Sequence, residues 1–171
     1  NKAKIAEEES IVVETARAAG TRPLENESVV VTSGATAEPI DPVRIMTNRA
    51  SGKTGRAVAK GLYARGADVT LVHDGPDVPY ADVRQVETGE EMLDAVMKSA
   101  PEADALVSAA AISDFTVEPA AEKIRSGQEL TLTFQPAPKL IDTVRDSLPE
   151  LPIVGFKVES DRESVVEQSR A

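Results

Sequence analysis

The sequence predicts an α/β fold, a mainly parallel sheet with helices on both faces and a small antiparallel addition near residues 115–135. Three observations carry this reading. From residue 28 onward, apolar runs of strand length alternate with helical stretches, the order of consecutive βαβ units. Apolar residues make up 41% of the chain but aromatics only 3%, which suits a core of Val, Ile, Leu and Ala rather than an aromatic-rich barrel. At 171 residues the chain is about one domain long and can bury a real core.

Taken in order, residues 5–19 are rich in Glu and Ala and read as a helix, followed by the loop GTRPLEN. Residues 1–27 are therefore expected to be a linker or the end of something upstream, with the main domain spanning 28–171. SVVVT, 28–32, is a β-branched strand. A long excursion with Pro39 and Pro42 follows, and 52–65 reads as a helix that Gly66 stops. Residues 68–73 form a buried strand, 89–99 a helix and 105–109 a third strand. The alternation breaks over 114–135, where a loop with Pro119 leads into ELTLTF, 129–134. Its period of two fits a partly exposed antiparallel strand. A helix over 139–148, a core strand over 153–156 and a helix over 162–171 follow. A helix as the last element leaves the sheet looking unfinished, so the domain is expected to lack its C-terminal part.

Composition excludes several classes. The formal charge of −10, from 29 acidic and 19 basic residues, argues against a nucleic-acid surface, which needs clustered Lys and Arg. No run of eighteen apolar residues and no basic-then-apolar leader occurs, so no membrane span or export signal is expected and the protein reads as cytoplasmic. Without cysteine there is no disulfide, thiolate metal site or thiol nucleophile. The single histidine, His73, rules out a His-rich zinc site and is read as structural. No protein metal site is expected.

The stretch TNRASGKTGR contains GKT, the tail of a phosphate loop. The full pattern GxxxxGK(S/T) needs a glycine where this chain has Thr47, and the loop should follow its strand at once. Both tests fail. Ser51, Gly52 and Gly55 still look like a helix start, and free N–H groups there attract anions under any motif name.

In α/β sheets ligands bind outside the carboxyl ends of strands, which directs attention to residues 33–44. That loop lacks GxGxxG. The run SGATAEPIDPVRIMTNRASGKTG instead resembles the signature of phosphopantothenoylcysteine synthetase, the phosphopantothenate-cysteine ligase of coenzyme A biosynthesis. ALVSAAAISDF, AEKI and IVGFKVES continue the likeness in the same order, over about Val29 to Ser160. KAKIAEEESIV resembles, more weakly, the tail of the flavin-dependent decarboxylase domain often fused upstream, where FMN would belong. The resemblance implies a Rossmann-like fold and a homodimer. It further implies that CTP, with Mg²⁺, activates 4′-phosphopantothenate as an acyl-cytidylate that the amine of L-cysteine then attacks. Family members also continue past IVGF into a lysine-bearing flap over the triphosphate, a segment expected to be missing after residue 171.

By the same resemblance, Asn48 is the asparagine whose amide hydrogen-bonds the intermediate and the oxyanion, although alone it would read as a turn or cap residue. Ser51, Gly52 and Lys53 match the phosphate-contacting turn. Lys123 matches the nucleotide lysine. The chain departs here, because members often carry KIKK and this one has Lys123-Ile124-Arg125-Ser126. Ser108, Ala109, Ala110 and Ala111 would let the base lie against backbone, or serve close helix packing. Asp114 fits a ribose or cytosine contact, or a loop cap. Ile153, Val154, Gly155 and Phe156 would end a strand at the same site, with Phe156 covering the base.

Two other readings remain open at this point. Asp74 follows the second strand, where the ribose-binding acid of an NAD(P)-dependent oxidoreductase module would sit. The exposed-looking strand at 129–134 would suit a non-catalytic dimerisation module.

Overall fold

The computed structural model describes residues 6–127 and 129–157. In chain order the elements are α1 (Glu8–Ala19), β1 (Ser28–Thr32), β2 (Ala37–Pro39), β3 (Ile45–Thr47), α2 (Lys53–Ala64), β4 (Asp68–His73), β5 (Asp82–Gln85), α3 (Gly89–Ser99), β6 (Ala105–Ser108), β7 (Phe115–Val117), β8 (Phe134–Pro136), α4 (Leu140–Ser147) and β9 (Ile153–Gly155). The main sheet runs β5-β4-β1-β6-β9, with every neighbouring pair parallel. Two short antiparallel ribbons, β2-β3 and β7-β8, sit apart from it.

β1 lies at the centre because its run of valines can be buried on two faces at once. The period of two splits them. Val29 and Val31 pack with Val13, Ala59, Val69 and Leu71 beneath α1 and α2. Val30 packs with Val72, Met92, Val96, Leu106, Leu140 and Val144 beneath α3 and α4. Each such side chain contributes roughly 1.5–3 kcal/mol relative to exposure. The expected parallel sheet with helices on both faces is what forms.

Several expectations change in detail. Residues 129–133 are irregular, and the antiparallel pairing is confined to Phe134–Pro136 against Phe115–Val117. The alternation of Leu130, Leu132 and Phe134 is real, but Leu130 and Phe134 are 50% and 46% exposed. With no core beneath it, the pattern has nothing to fix a longer register. The strand over 153–156 stops at Gly155, pairs only with β6 among the described residues, and leaves Val154 and Phe156 half exposed. Among the described residues it is the last strand of the sheet. The helix expected over 162–171 lies outside the described residues.

The segment read as a linker contains a docked helix. Val13 of α1 is buried in the core. Arg17 donates to the carbonyls of Tyr63, Gly66 and Ala67, capping the negative end of α2, while its guanidinium stacks 4.3 Å over the Tyr63 ring.

Candidate functional site

The carboxyl ends of β1, β4, β6 and β9 share one edge of the sheet, and the loops leaving them build the site. After β1, Ser33 is fully buried and donates from Oγ to the Gly52 carbonyl at 2.8 Å. This seats the start of α2 directly on the strand end. The fit explains two glycines. A Cβ on Gly55 would stand 2.5 Å from Ser33 Cβ and 2.8 Å from the Thr32 carbonyl. Gly52 has φ +66°, and a Cβ there would lie 2.9 Å from the Gly34 nitrogen.

The start of α2 is open. No side chain caps it and its first turn has no acidic residue, so its leading N–H groups have no intrahelical partners. Arg56 folds back to donate to the Ser51 carbonyl at 2.8 Å. Between Asp41 and Asp68 the sequence has no Asp or Glu but carries Arg44, Arg49, Lys53, Arg56, Lys60 and Arg65. Arg49, Lys53 and Arg56 are the cations of this run nearest the helix start, the Asp74 carboxylate lies against Gly34 beside it, and the helix dipole favours an anion there.

Beside it, the loop after β6 is braced by buried hydroxyls. Thr32 Oγ1 accepts from Ala109 N at 3.1 Å and Ala110 N at 3.2 Å, and Thr36 Oγ1 accepts from Ser113 N at 2.9 Å. Asn48 closes the arrangement from the other side. Its Nδ2 donates to the carbonyls of Ala111 and Ile112, each at 3.2 Å. Because both partners are carbonyls, the amide must point its nitrogen at them. The hydrogens expected to meet an oxyanion are engaged in holding this turn.

The remaining residues fall into two groups. Phe156, whose N–H donates to the Ser108 carbonyl at 3.1 Å, lines an open groove of about 720 Å³ with Lys53, Thr54, Ala57 and Val58 of α2. The structure therefore brings Phe156 and Lys53 to one groove along α2, which Ser51 and Gly52 do not line. Asp114 instead forms an ion pair with Lys139 at the start of α4. Lys123 is exposed on a segment outside any regular element.

Sequence reasoning missed what holds that segment. The Asp41 side chain is fully buried. Its carboxylate accepts from Val43 N, Arg44 N and Ile124 N at 2.8, 2.9 and 3.0 Å, and it pairs with the Arg44 guanidinium. Burial pushes the Asp41 carboxyl upward, but the hydrogen bonds from Val43, Ile124 and Arg44 outweigh it and lower the pKa to about 2. Pro39 and Pro42 marked this excursion in the sequence, whereas neither the role of Asp41 nor its partner at Ile124 was visible. His73 is fully buried with neither ring nitrogen hydrogen-bonded, and burial holds its pKa below the ordinary 6.5.

Among the described residues, no cluster of three or more His, Cys, Asp or Glu could hold a metal ion, and no helix is long and apolar enough to cross a membrane.

Comparison with known proteins shows the family. The family described as DNA/pantothenate metabolism flavoprotein C-terminal domain matches residues 24–171. The coenzyme A biosynthesis bifunctional protein CoaBC of Thermococcus kodakarensis is 46% identical over 164 residues, 93% of this chain and 41% of that protein. Its namesake from Methanocaldococcus jannaschii is 36% identical over 161 residues, 92% of this chain and 40% of that protein. The chain thus spans about two fifths of the length of these curated relatives. The crystal structure of the C-terminal domain of a CoaBC protein superposes with a TM-score of 0.75 at 27% identity, covering 88% of this chain and 74% of that one. A Cab2 mutant in complex with phosphopantothenate-cysteine has a TM-score of 0.71 at 19% identity over 94% of this chain and 74% of its own, a likeness of fold.

Proposed function

The chain belongs to the DNA/pantothenate metabolism flavoprotein C-terminal domain family, and on that premise we propose that it carries the phosphopantothenate-cysteine ligase activity of coenzyme A biosynthesis, driven by CTP. The observation that carries the reading is the uncapped start of α2, with no acidic residue in its first turn, seated on β1 beside the turn that Asn48 braces. Relatives named for coenzyme A biosynthesis, one at 46% identity over 93% of this chain, support it.

In the first step a carboxylate oxygen of 4′-phosphopantothenate bonds to the α-phosphorus of CTP, the α–β anhydride bond breaks and pyrophosphate leaves. In the second, the amine of L-cysteine attacks the acyl carbon, loses a proton, and CMP departs as the acyl–oxygen bond breaks. The protein's task is to position the partners and balance charge. Ser51, Gly52 and Lys53 hold a phosphate at the α2 start. Ser108, Ala109 and Ala110 offer backbone to the base, and Ile153–Phe156 flank it. Lys123 meets the triphosphate. Asn48 fixes the 111–112 turn and serves the oxyanion by exchanging one of its carbonyl bonds for it. Asp114 reaches the ribose or base only by leaving Lys139.

Mg²⁺, when bound, neutralises part of the triphosphate charge. The wider setting we propose is a cytoplasmic homodimer preceded by an FMN-dependent decarboxylase domain, acting on no nucleic acid or membrane. Calorimetric titration of the intact protein tests the assignment. CTP should bind and NAD(P)H should not, and the reverse result would replace the ligase with an oxidoreductase.

A further inference from the structure

Lys123 sits on a stretch with little structure of its own. Among the described residues of 118–133, two places are hydrogen-bonded to the turn between β2 and β3 and the residue before it: Ala120 N donates to the Ile40 carbonyl at 2.9 Å, and Ile124 is held by a double grip. Asp41 takes the Ile124 N–H at 3.0 Å, and Arg44 donates to the Ile124 carbonyl at 3.1 Å. Asp41 and Arg44 belong to the turn between β2 and β3, more than seventy residues away in sequence. A turn of this kind needs only the bonds from Asp41 to Val43 N and Arg44 N. The further bond to Ile124, made by a carboxylate whose side chain is fully buried, ties the turn to the residue after Lys123.

We propose that Asp41, with Arg44 as its counterion, is a positioning residue for nucleotidyl transfer: it fixes the backbone at Ile124 so that the adjacent Lys123 is presented to the triphosphate. The inference rests on the role given to Lys123 above. Fixing one backbone unit on both its N–H and its C=O limits where the neighbouring Cα can be, and that sets the reach of the lysine. The β2-β3 ribbon then has a function its short, half-exposed strands do not suggest. It is the anchor of a catalytic strap.

A double-mutant cycle in the intact protein tests this, with pyrophosphate release from CTP and 4′-phosphopantothenate as the readout and cysteine omitted. Lys123→Ala should slow release strongly. Asp41→Asn should slow it about tenfold or more, since a displacement near 1 Å can cost up to 10²-fold. In the Lys123→Ala background, Asp41→Asn should add no further loss, because a positioning residue has no effect once the group it positions is gone. Equal losses in the two backgrounds would overturn the proposal and leave Asp41 a purely structural residue. A null effect of Lys123→Ala by itself would refute the assignment of Lys123, an outcome separate from additivity. If Asp41→Asn does not fold, Asp41→Glu keeps the charge and displaces it by one methylene. The same cycle with that variant must show the same non-additivity or the proposal falls.

Discussion

The starts of α2 and α3 use one backbone device for opposite ends. α3 closes its own terminus. Thr88 and Glu91 form a reciprocal capping box, Glu90 adds charge to the first turn, and the carboxylate of the largely buried Glu38 takes the Gly89 N–H at 3.0 Å. α2 has neither cap nor acid, and its flanking side chains are cations. A helix start satisfied by its own chain adds stability, and one left open keeps its N–H groups for a ligand. The difference is chemical, so substitutions that blur it should separate stability from function.

The largest expected effect lies beside α2, at Asn48. Asn48→Asp replaces an N–H₂ group with an oxygen facing two carbonyls at 3.2 Å, so the 111–112 turn loses its brace and the oxyanion loses its donor. Product formation should fall about 10²–10³-fold, while pyrophosphate release from CTP and phosphopantothenate continues and the acyl-cytidylate accumulates. Equal loss of both half-reactions would give Asn48 a broader structural role.

Glycines at the two starts should respond unequally to alanine. At Gly55 of α2 the added Cβ meets Ser33 and the Thr32 carbonyl at 2.5–2.8 Å, so Gly55→Ala should cost about 1–3 kcal/mol by overpacking and weaken nucleotide binding. At Gly89 of α3 the nearest atoms are Glu38 Oε1 at 3.3 Å and Ile112 Cγ2 at 3.5 Å. There the gain in helix propensity offsets the crowding, and Gly89→Ala should leave the melting transition nearly in place. Thermal unfolding of the two variants side by side decides the matter, and similar melting temperatures would mean that α2 is not seated as tightly as described.

Exchanging the chemistry of the two starts gives a smaller effect. Lys53→Glu makes α2 resemble α3. The helix should gain about 0.3–1 kcal/mol from its dipole, yet CTP affinity should drop. Thr88→Ala removes the cap of α3, with a cost of about 1 kcal/mol and no change in CTP affinity. Melting curves and titrations on both variants would undo the contrast if affinity followed stability.

The contrast was only half legible in the sequence. The acid-free run from residue 42 to 67 and the TxxE pattern at Thr88–Glu91 could be read directly, because capping and charge are local. β1, β4 and β6 were legible because buried parallel strands are continuous apolar runs. β5 was not, since Asp82, Arg84 and Gln85 make it polar and only its register against β4 defines it. The strand placed at 129–134 was over-read because alternation says which face would be buried, not whether anything lies beneath it. Asn48 and Lys123 were found through motif likeness alone. Their surroundings, the carbonyls at 111–112 and the Asp41 grip on Ile124, depend on contacts far apart in the chain that no local pattern encodes.

The smallest expected effect uses His73 as a reporter of the open terminus. It is the single histidine of the chain, so its imidazole resonances need no assignment. Burial is the main reason its pKa lies low, opposed by the Pro76 backbone, Asp74 and Asp77, with the nearby Arg56 charge a lesser contribution in the same direction as burial. In the folded state the ring therefore stays neutral to lower pH than in the unfolded chain. Stability attributable to His73 is present above 6.5 and is lost as pH falls, because the unfolded state then binds the extra proton. An anion held at the start of α2, next to Arg56, would offset part of the Arg56 charge and raise the His73 pKa toward its ordinary value. Proton NMR titration with and without CTP should show that upward shift, and Lys53→Glu should reduce it by weakening binding. A titration midpoint that CTP leaves in place, at concentrations where calorimetry shows the nucleotide bound, would put the phosphates away from α2 and remove the functional half of the comparison.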